Sequence, residues 1–492
     1  MGQITVAVIF DPQPYFSQLY DAFGNLPEVK KIIVISPDET PSLPTGCARL
    51  TGEAITSGDT LNRLFAATDT PYLLFLHGSR KMRLGSGCLS RLLEVAKTTQ
   101  AGMVYSDYWE IIEGRQSEHP VNDYQPGSIR DDFDFGHLTL ISVSIVRDSL
   151  SKFGRLASST HAGFYDLRLK LSLRHPLFHI QECLYTVEER EAAEDGPTQF
   201  TYVDPRYYAV QKEMEGVATE HLRRIGAYLE PAFAEAPPPG DAFPVEASVI
   251  IPVRNRRHTI AEAVQSAQCQ VTDFSFNVIV VDNHSSDGTT ALLSEMSQNH
   301  SGLRHIIPSR HDLSIGGCWN EAVFSIDCGR YAVQLDSDDL YSSPCTLQKI
   351  VDLLRRGNYA MVIGSYTIVN DRREVIPPGL IDHREWTEEN GRNNALRING
   401  LGAPRAFNTE ILRKGGFLNV GYGEDYAMAM RISREYQIGR IYENLYLCRR
   451  WEGNSDSALT IVQKNHHDAF KDKIRTLEIM ARQEINRQMK RA

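Results

Sequence analysis

From residue 247 onward, apolar and polar positions switch between two periods. The segments "ASVIIPV" (247–253), "FNVIVVD" (276–282), "YAVQLD" (331–336) and "YAMVIGSYTIV" (359–369) are nearly unbroken apolar runs rich in β-branched residues. Runs of this length and composition predict strands buried on both faces. Between them the period is helical. "TIAEAVQSAQ" (259–268) sets Ile260, Ala263, Val264 and Ala267 on one face, and "TLQKIVDLLRRG" (346–357) does the same with Leu347, Ile350, Val351 and Leu354 before Gly357. "DGTTALLSEMSQ" (287–298) predicts a further helix, with Ser286 or Asp287 placed to cap it. Strands alternating with helices imply an α/β fold with a mostly parallel, Rossmann-like sheet, whose ligands bind at the carboxyl ends of the strands.

The first half repeats the plan. "TVAVIF" (5–10) matches "SVIIPV", "KIIVIS" (31–36) matches "NVIVVD", and "YLLFLHGSR" (72–80) matches "YAVQLDSDD". "AGMVYSDYWEI" (101–111) matches "YAMVIGSYTIV", "ECLYTVEER" (182–190) matches "ENLYLCRRW", and Asn62 stands against Asn320. Five matches in one order predict a duplicated domain. The segment "EPAFAEAPPPGDAFP" (230–244), with five prolines, breaks all periodicity and reads as a semi-rigid linker. The expected organisation is a domain over 1–204, a helical segment and Pro-rich linker over 205–245, a second domain over 246–455, and a helical tail over 456–492. In the tail, Ile474, Leu477, Ala481 and Ile485 form an apolar stripe suited to core packing or to a homo-oligomer.

Candidate chemistry gathers at the predicted strand ends of the second half. Asp336, Asp338 and Asp339 follow a buried strand, and the D-x-D spacing turns two carboxylates to one side. Hard oxygen ligands suit Mg²⁺ or Mn²⁺, which can hold a diphosphate; a solvated acidic turn is the plain alternative. Asn255 sits at the turn after the first strand. Asp282 ends the second strand, where it can accept hydrogen bonds from a base or ribose, since Asp287 and Gly288 already serve the helix cap. Gly316 and Gly317 precede a helix, where backbone can approach a phosphate, and Glu424 and Asp425 open a helix after a Gly-rich loop. Simple capping of that helix by acids is the alternative reading of the last pair.

Taken together, "VIIPVRNR", "VVDNHSSDGT", "SIGGCWNEA", "DSDD" and "GYGEDYAM" followed by "RRWEGN" resemble the family 2 glycosyltransferases of GT-A fold over about 245–455. That resemblance implies an inverting, metal-dependent transferase that moves a sugar from a nucleotide-sugar, with a UDP-sugar favoured, to a hydroxyl acceptor on a glycan, lipid-linked molecule or protein. It implies that Pro252, Asn255, Asp282, Ser285, Arg310 and Gly316 hold the nucleotide. Asp336 would face ribose or metal, Asp338 would bind Mn²⁺ or Mg²⁺, and Asp339 would support them. Asp425 would be the general base and Glu424 would help to orient it or the acceptor. Arg449, Arg450 and Trp451 would close over the substrates, with Asn454 beside them. Asn283 and His284 depart from the family's usual small polar residues and leave the nucleobase open. A retaining GT-A transferase, a sugar nucleotidyltransferase and a non-catalytic carbohydrate- or nucleotide-binding scaffold remain alternatives.

The first half lacks this chemistry. Asp282 falls on Ser36, Asp336 on His77, Asp338 on Ser79, Asp339 on Arg80 and Asp425 on Phe164. A degenerate, non-catalytic GT-A-like domain is expected there, with His77 and Arg80 repelling a divalent metal. The net charge of −10 argues against sequence-independent binding to nucleic acid. Eight scattered cysteines without CxxC, no run long enough to span a bilayer and no signal-peptide pattern lead to the expectation of a cytoplasmic protein with reduced thiols.

Overall fold

The computed structural model describes residues 2–11, 21–36, 43, 46–52, 54–78, 80–188, 207–237, 240, 242–357, 359–451 and 459–491. Ser79 and Asn454 lie outside the described residues. The described chain falls into two compact units: the first takes in the chain up to 188 together with 208–228 and everything from 460, the second Tyr207 and 229–459. Among the described residues, no helix is long and apolar enough to cross a membrane.

In the first unit a seven-stranded sheet runs in the order Leu177–Ile180, Met103–Ser106, Leu138–Ser142, Tyr72–Leu76, Ile4–Ile9, Val29–Ser36, Cys47–Thr51. In the second unit the order is Leu303–Ile306, Phe276–Asp282, Ala247–Val253, Tyr331–Gln334, Arg405–Asn408, Met361–Val369, Ile438–Arg449, Leu340–Tyr341. Taken in reverse, the first order reproduces the first seven strands of the second. The apolar runs predicted as strands in the second half are strands, because a sheet covered on both faces buries a continuous run. In the first half, by contrast, "AGMVYSDYWEI" forms two strands, Met103–Ser106 and Tyr108–Ile112. The sheets are less parallel than expected. Leu138–Ser142 and Arg405–Asn408 each run antiparallel to both neighbours. Arg405–Asn408 is four residues with one charge, too short to register as a period.

Local fastenings repeat as well. Asn62 donates through Nδ2 to the Leu156 carbonyl (3.1 Å) and accepts from the Leu156 amide (3.2 Å). Asn320 does the same with Phe417, at 2.9 and 2.8 Å. A Cβ at Gly58 would stand 1.8 Å from the Ala157 carbonyl oxygen, and one at Gly316 1.8 Å from that of Leu418. Tyr165 Oη donates to the Ile129 carbonyl and Tyr426 Oη to that of Ala395. In each unit, therefore, a glycine and an asparagine on one helix clip the loop that leads into the helix carrying that tyrosine.

The C-terminal helix Ile461–Met489 belongs to the first unit rather than standing apart as a tail, and so does Tyr208–Arg224. Its expected apolar stripe is buried only in part: Ile474 is buried and Ala481 and Ile485 are half-buried, but Leu477 is 60% exposed, whereas Asp472, Arg475 and Arg482 are fully buried. Asp472 pairs with Arg475 (2.7 Å) and Arg130 (3.4 Å) and accepts from Ser128 (2.8 Å), while Arg482 pairs with Glu478 (2.7 Å). A hydropathy stripe misses this because the charges are buried as matched pairs. Replacing Asp472 by Ala takes a shared carboxylate away from two buried guanidinium groups. A loss of about 3–5 kcal/mol is expected, read as an earlier unfolding transition and as faster amide exchange along 461–489.

Candidate active site

The site forms at the carboxyl edge of the second unit's sheet, where three loops and one helix start converge. The strand Ala247–Val253 ends in a turn with Asn255 at φ +54°, a left-handed conformation that asparagine tolerates. Its backbone amide donates to Ser285 Oγ (2.9 Å), and its side chain accepts from the Ser286 amide (2.8 Å). Asn255 and Ser285, both expected at the nucleotide, thus hold each other's loops. Asp282 is fully buried. It accepts from the Ser285 amide (3.0 Å) and the Thr290 hydroxyl, with His305 Nε2 at 3.5 Å. Burial pushes its pKa up, but the groups from His305, Ser285 and Thr290 outweigh burial and hold it well below the carboxylate range. The helix cap does not leave this acid spare; the acid ties down the loop that follows it.

Other nucleotide candidates are placed differently. Pro252 is buried within its strand, opposite Val281. Arg310 is exposed and forms a two-point ion pair with Asp312 (2.9 and 2.6 Å). At Gly316 the space expected for a phosphate is filled by Leu418, and at Gly317 a Cβ would meet Asn419 Oδ1 at 2.4 Å. These glycines serve packing of the protein against itself.

The acids after Tyr331–Gln334 are crowded. Asp339 is buried and accepts from the Arg449 amide (2.8 Å). Burial, then Asp336 and Asp338, push its pKa well above the usual range. Asp336 receives both oxygens' hydrogen bonds from Gln334 Nε2 (3.0 and 3.1 Å), and its amide donates to Tyr446 Oη (2.9 Å). Burial raises its pKa too; Gln334 opposes and Asp338 adds to that rise. Asp338 faces Trp451 Nε1 (3.4 Å) and Arg256 Nε (3.6 Å), and the Arg256 guanidinium lies 5.8 Å from the Trp451 ring. Arg449 donates to the Asp338 carbonyl and pairs with Glu262, while the Arg450 amide donates to the Val369 carbonyl (2.7 Å). Among the described residues no group of three or more acidic, His or Cys side chains is arranged to hold a metal. Asp336 and Asp338 nevertheless fit one as a pair of hard oxygen donors, whose mutual repulsion a cation would relieve.

Glu424 and Asp425 open the helix Glu424–Glu435 and take different environments. Glu424 is buried, and burial followed by the Asp425 charge raises its pKa to about 8, so it carries a proton at neutral pH. Asp425 is partly open. It accepts from the Tyr426 amide (2.6 Å) and pairs with Arg405 Nη2 (2.6 Å). Arg405 Nη1 also donates to Gln334 Oε1 (3.0 Å). A chain of contacts therefore runs Asp425–Arg405–Gln334–Asp336. Burial alone would lower the pKa of Arg405, but Asp425, Asp336 and Glu424 raise it and hold it charged. Neither Arg405 nor Gln334 was expected from the motifs, yet each is a lone polar residue inside an apolar run ("APRAF", "YAVQL"), which is the signal that could have marked it.

In the first unit rings fill three of the same four positions and Thr139 the fourth. Strand register places Phe75 where Gln334 stands and Thr139 where Arg405 stands. His77 and Phe164 then occupy the positions of Asp336 and Asp425. The His77 ring meets Phe164 edge-on at 4.6 Å and Phe75 at 5.0 Å, and Phe75 stacks on Phe164 at 5.2 Å. Burial, then the nearby His137, lower the His77 pKa to about 3. His77 is therefore uncharged and does not repel a metal as expected; close ring packing takes up the space instead.

Residues 248–416 match the family model described as Glycosyl transferase family 2. No curated protein matches the chain. Among solved structures the chain is similar to S. aureus TarS 1-349 in complex with UDP-GlcNAc, at 23% identity over 48% of this chain and 72% of that one, TM-score 0.37. It is similar to the mannosyltransferase PcManGT from Pyrobaculum calidifontis in complex with GDP-Man and Mn²⁺, at 18% identity over 56% and 85%, TM-score 0.33. Glucosyl-3-phosphoglycerate synthase from Mycobacterium tuberculosis in complex with phosphoglyceric acid is a third, at 20% identity over 46% and 80%, TM-score 0.32.

The state of Glu424 has a measurable consequence. Its folded pKa lies above the ordinary 4.5, so the folded chain keeps a proton that the unfolded chain has lost between pH 4.5 and about 8. The stability it contributes is complete below that window and lost as pH rises through it. Glu424→Gln is expected to gain stability relative to the parent as pH is raised from 5 to 8, followed by thermal unfolding at each pH; a constant difference across that range would rule the assignment out.

Proposed function

We propose that the second unit, which carries a family 2 glycosyltransferase domain of GT-A fold, moves a sugar from a nucleotide-sugar to a hydroxyl acceptor with inversion at the anomeric carbon. A UDP-sugar is the donor this reading favours. The observation that carries it is the division of labour among the acids: a crowded pair, Asp336 and Asp338, on one side, and a partly open Asp425 held by Arg405 on the other.

In this reading Asp425 accepts the proton of the acceptor hydroxyl as its oxygen attacks the anomeric carbon. The bond from that carbon to the diphosphate oxygen breaks, and the electron pair leaves with the nucleoside diphosphate. Glu424, neutral and buried behind Asp425, does not compete as a base and serves to place the start of the helix. Asp336 and Asp338 would hold Mn²⁺ or Mg²⁺, which when bound supplies positive charge to the departing diphosphate. Arg256 and Trp451 border the Asp338 side, where the donor would lie, and Arg450 is assigned with Trp451 to close over the substrates. Asn255 and Ser285 shape the loops expected to receive the nucleotide, with Asp282 fastening the second of them. Arg310 and Pro252 enter this scheme only as supports of those loops, and Gly316 as a support of the loop at Leu418. The first unit, with rings at three of the four equivalent positions and Thr139 at the fourth, is assigned no catalytic part.

Two variants test the scheme. Asp338→Ala should abolish Mn²⁺-dependent hydrolysis of nucleotide-sugars, and absence of metal-dependent turnover by the parent protein with any common donor would sink the reading. Asp425→Asn should lower turnover by about 10²–10⁴-fold while the thermal shift caused by added UDP or GDP persists. Loss of that nucleotide shift in Asp425→Asn would instead place the residue at the donor.

A further inference from the structure

The chain Asp425–Arg405–Gln334–Asp336 joins the two acid groups, although neither end needs the other to fold. Gln334 is buried, and its amide has one sense: Oε1 accepts from Arg405 Nη1 (3.0 Å) and from the Arg405 backbone amide (3.2 Å), while Nε2 donates to both Asp336 oxygens. Arg405 completes the chain at Asp425 Oδ2 (2.6 Å). The three segments involved are a central parallel strand, the antiparallel strand beside it and the start of the helix Glu424–Glu435.

The first unit serves as an internal control on what these positions must contain. With the same strand order it holds Phe75, His77 and Phe164 there, in ring contacts of 4.6–5.2 Å, and Thr139, whose hydroxyl lies 3.3 Å from His77 Nε2. The fold is thus built equally well without the ion pair. Replacing a buried ion pair by packed apolar groups is often neutral or stabilising, because two charges no longer have to leave water. Stability alone gives the second unit no reason to keep Arg405 and Gln334.

We propose that Arg405 is a positioning residue for sugar transfer, holding the Asp425 carboxylate at a set place relative to Asp336 through Gln334. This rests on the reading of Asp425 as the base. Misplacing a reacting group by about 1 Å costs about a hundredfold in rate, so the effect falls on turnover and not on donor binding. Arg405 itself touches neither substrate nor proton in this scheme.

The test uses the full chain with UDP-GlcNAc, UDP-glucose and GDP-mannose as donors, Mn²⁺ present, and water or an added sugar as acceptor. Arg405→Met is expected to lower kcat by roughly 100-fold with KM within about threefold of the parent. The thermal shift given by UDP or GDP with Mn²⁺ should remain. Arg405→Lys, which keeps the charge, should recover about tenfold of that loss. A kcat for Arg405→Met within about threefold of the parent overturns the inference while leaving the assigned reaction standing. Should Arg405→Met unfold, Gln334→Met decides: it keeps the Arg405–Asp425 pair and cuts the link to Asp336. An expected fall of about tenfold in kcat supports the coupling, and an unchanged kcat overturns it. No donor turnover and no nucleotide shift in the parent protein would remove the reaction itself, and this inference with it.

Discussion

Five carboxylates, Asp336, Asp338, Asp339, Glu424 and Asp425, are drawn to one edge of the second unit's sheet, and buried like charges cannot all remain ionised without compensation. The protein meets this constraint in several ways at once. Glu424 keeps its proton. Asp339 is pinned by the Arg449 amide, and Asp338 lies against Arg256 and Trp451. Arg405 serves Asp425 directly and Asp336 through Gln334. The arrangement at this edge follows from that distribution: a partly open Asp425 paired with Arg405, a buried Glu424 that keeps its proton, and a crowded pair at Asp336 and Asp338.

The two units show how little of the site is required by the fold. They share strand order, the antiparallel strand beside the central parallel one, the asparagine clip, the glycine under a carbonyl and the tyrosine on the following helix. They differ where the acids stand. In one unit these positions are an ionic chain, in the other a cluster of rings with an uncharged histidine. Scaffold features recur in both units because each closes a backbone hydrogen bond or a packing gap that any version of the sheet must close. Acids are dispensable to that task, which is why their presence in one copy points to chemistry.

Much of this was legible along the chain. Apolar runs such as "NVIVVD" and "YAVQLD" have no other place than a buried strand, and their abrupt acidic ends put Asp282, Asp336 and Asp338 at the sheet edge. Asn62 and Asn320 aligned before their clips were visible. What stayed hidden involves charge buried in pairs. The C-terminal helix buries Asp472, Arg475 and Arg482 beside Ile474 and Ile479 while leaving Leu477 exposed, a mixture that hydropathy does not suggest. The strand Arg405–Asn408 was too short to announce itself, and with it went the antiparallel position and Arg405.

Periodicity and spacing along the chain therefore determined the elements and the clustering of acids at strand ends, since each depends on near neighbours in sequence. Only the tertiary structure decided what state those acids are in. The partners that set it are remote in sequence: Gln334 meets Arg405 across 71 residues, and Asp336 meets Tyr446 across 110. Asp282 shows the same division. Its place at a strand end is written in "FNVIVVD", but its commitment to the loop around Ser285 and Thr290 appears only when strand and helix are folded together.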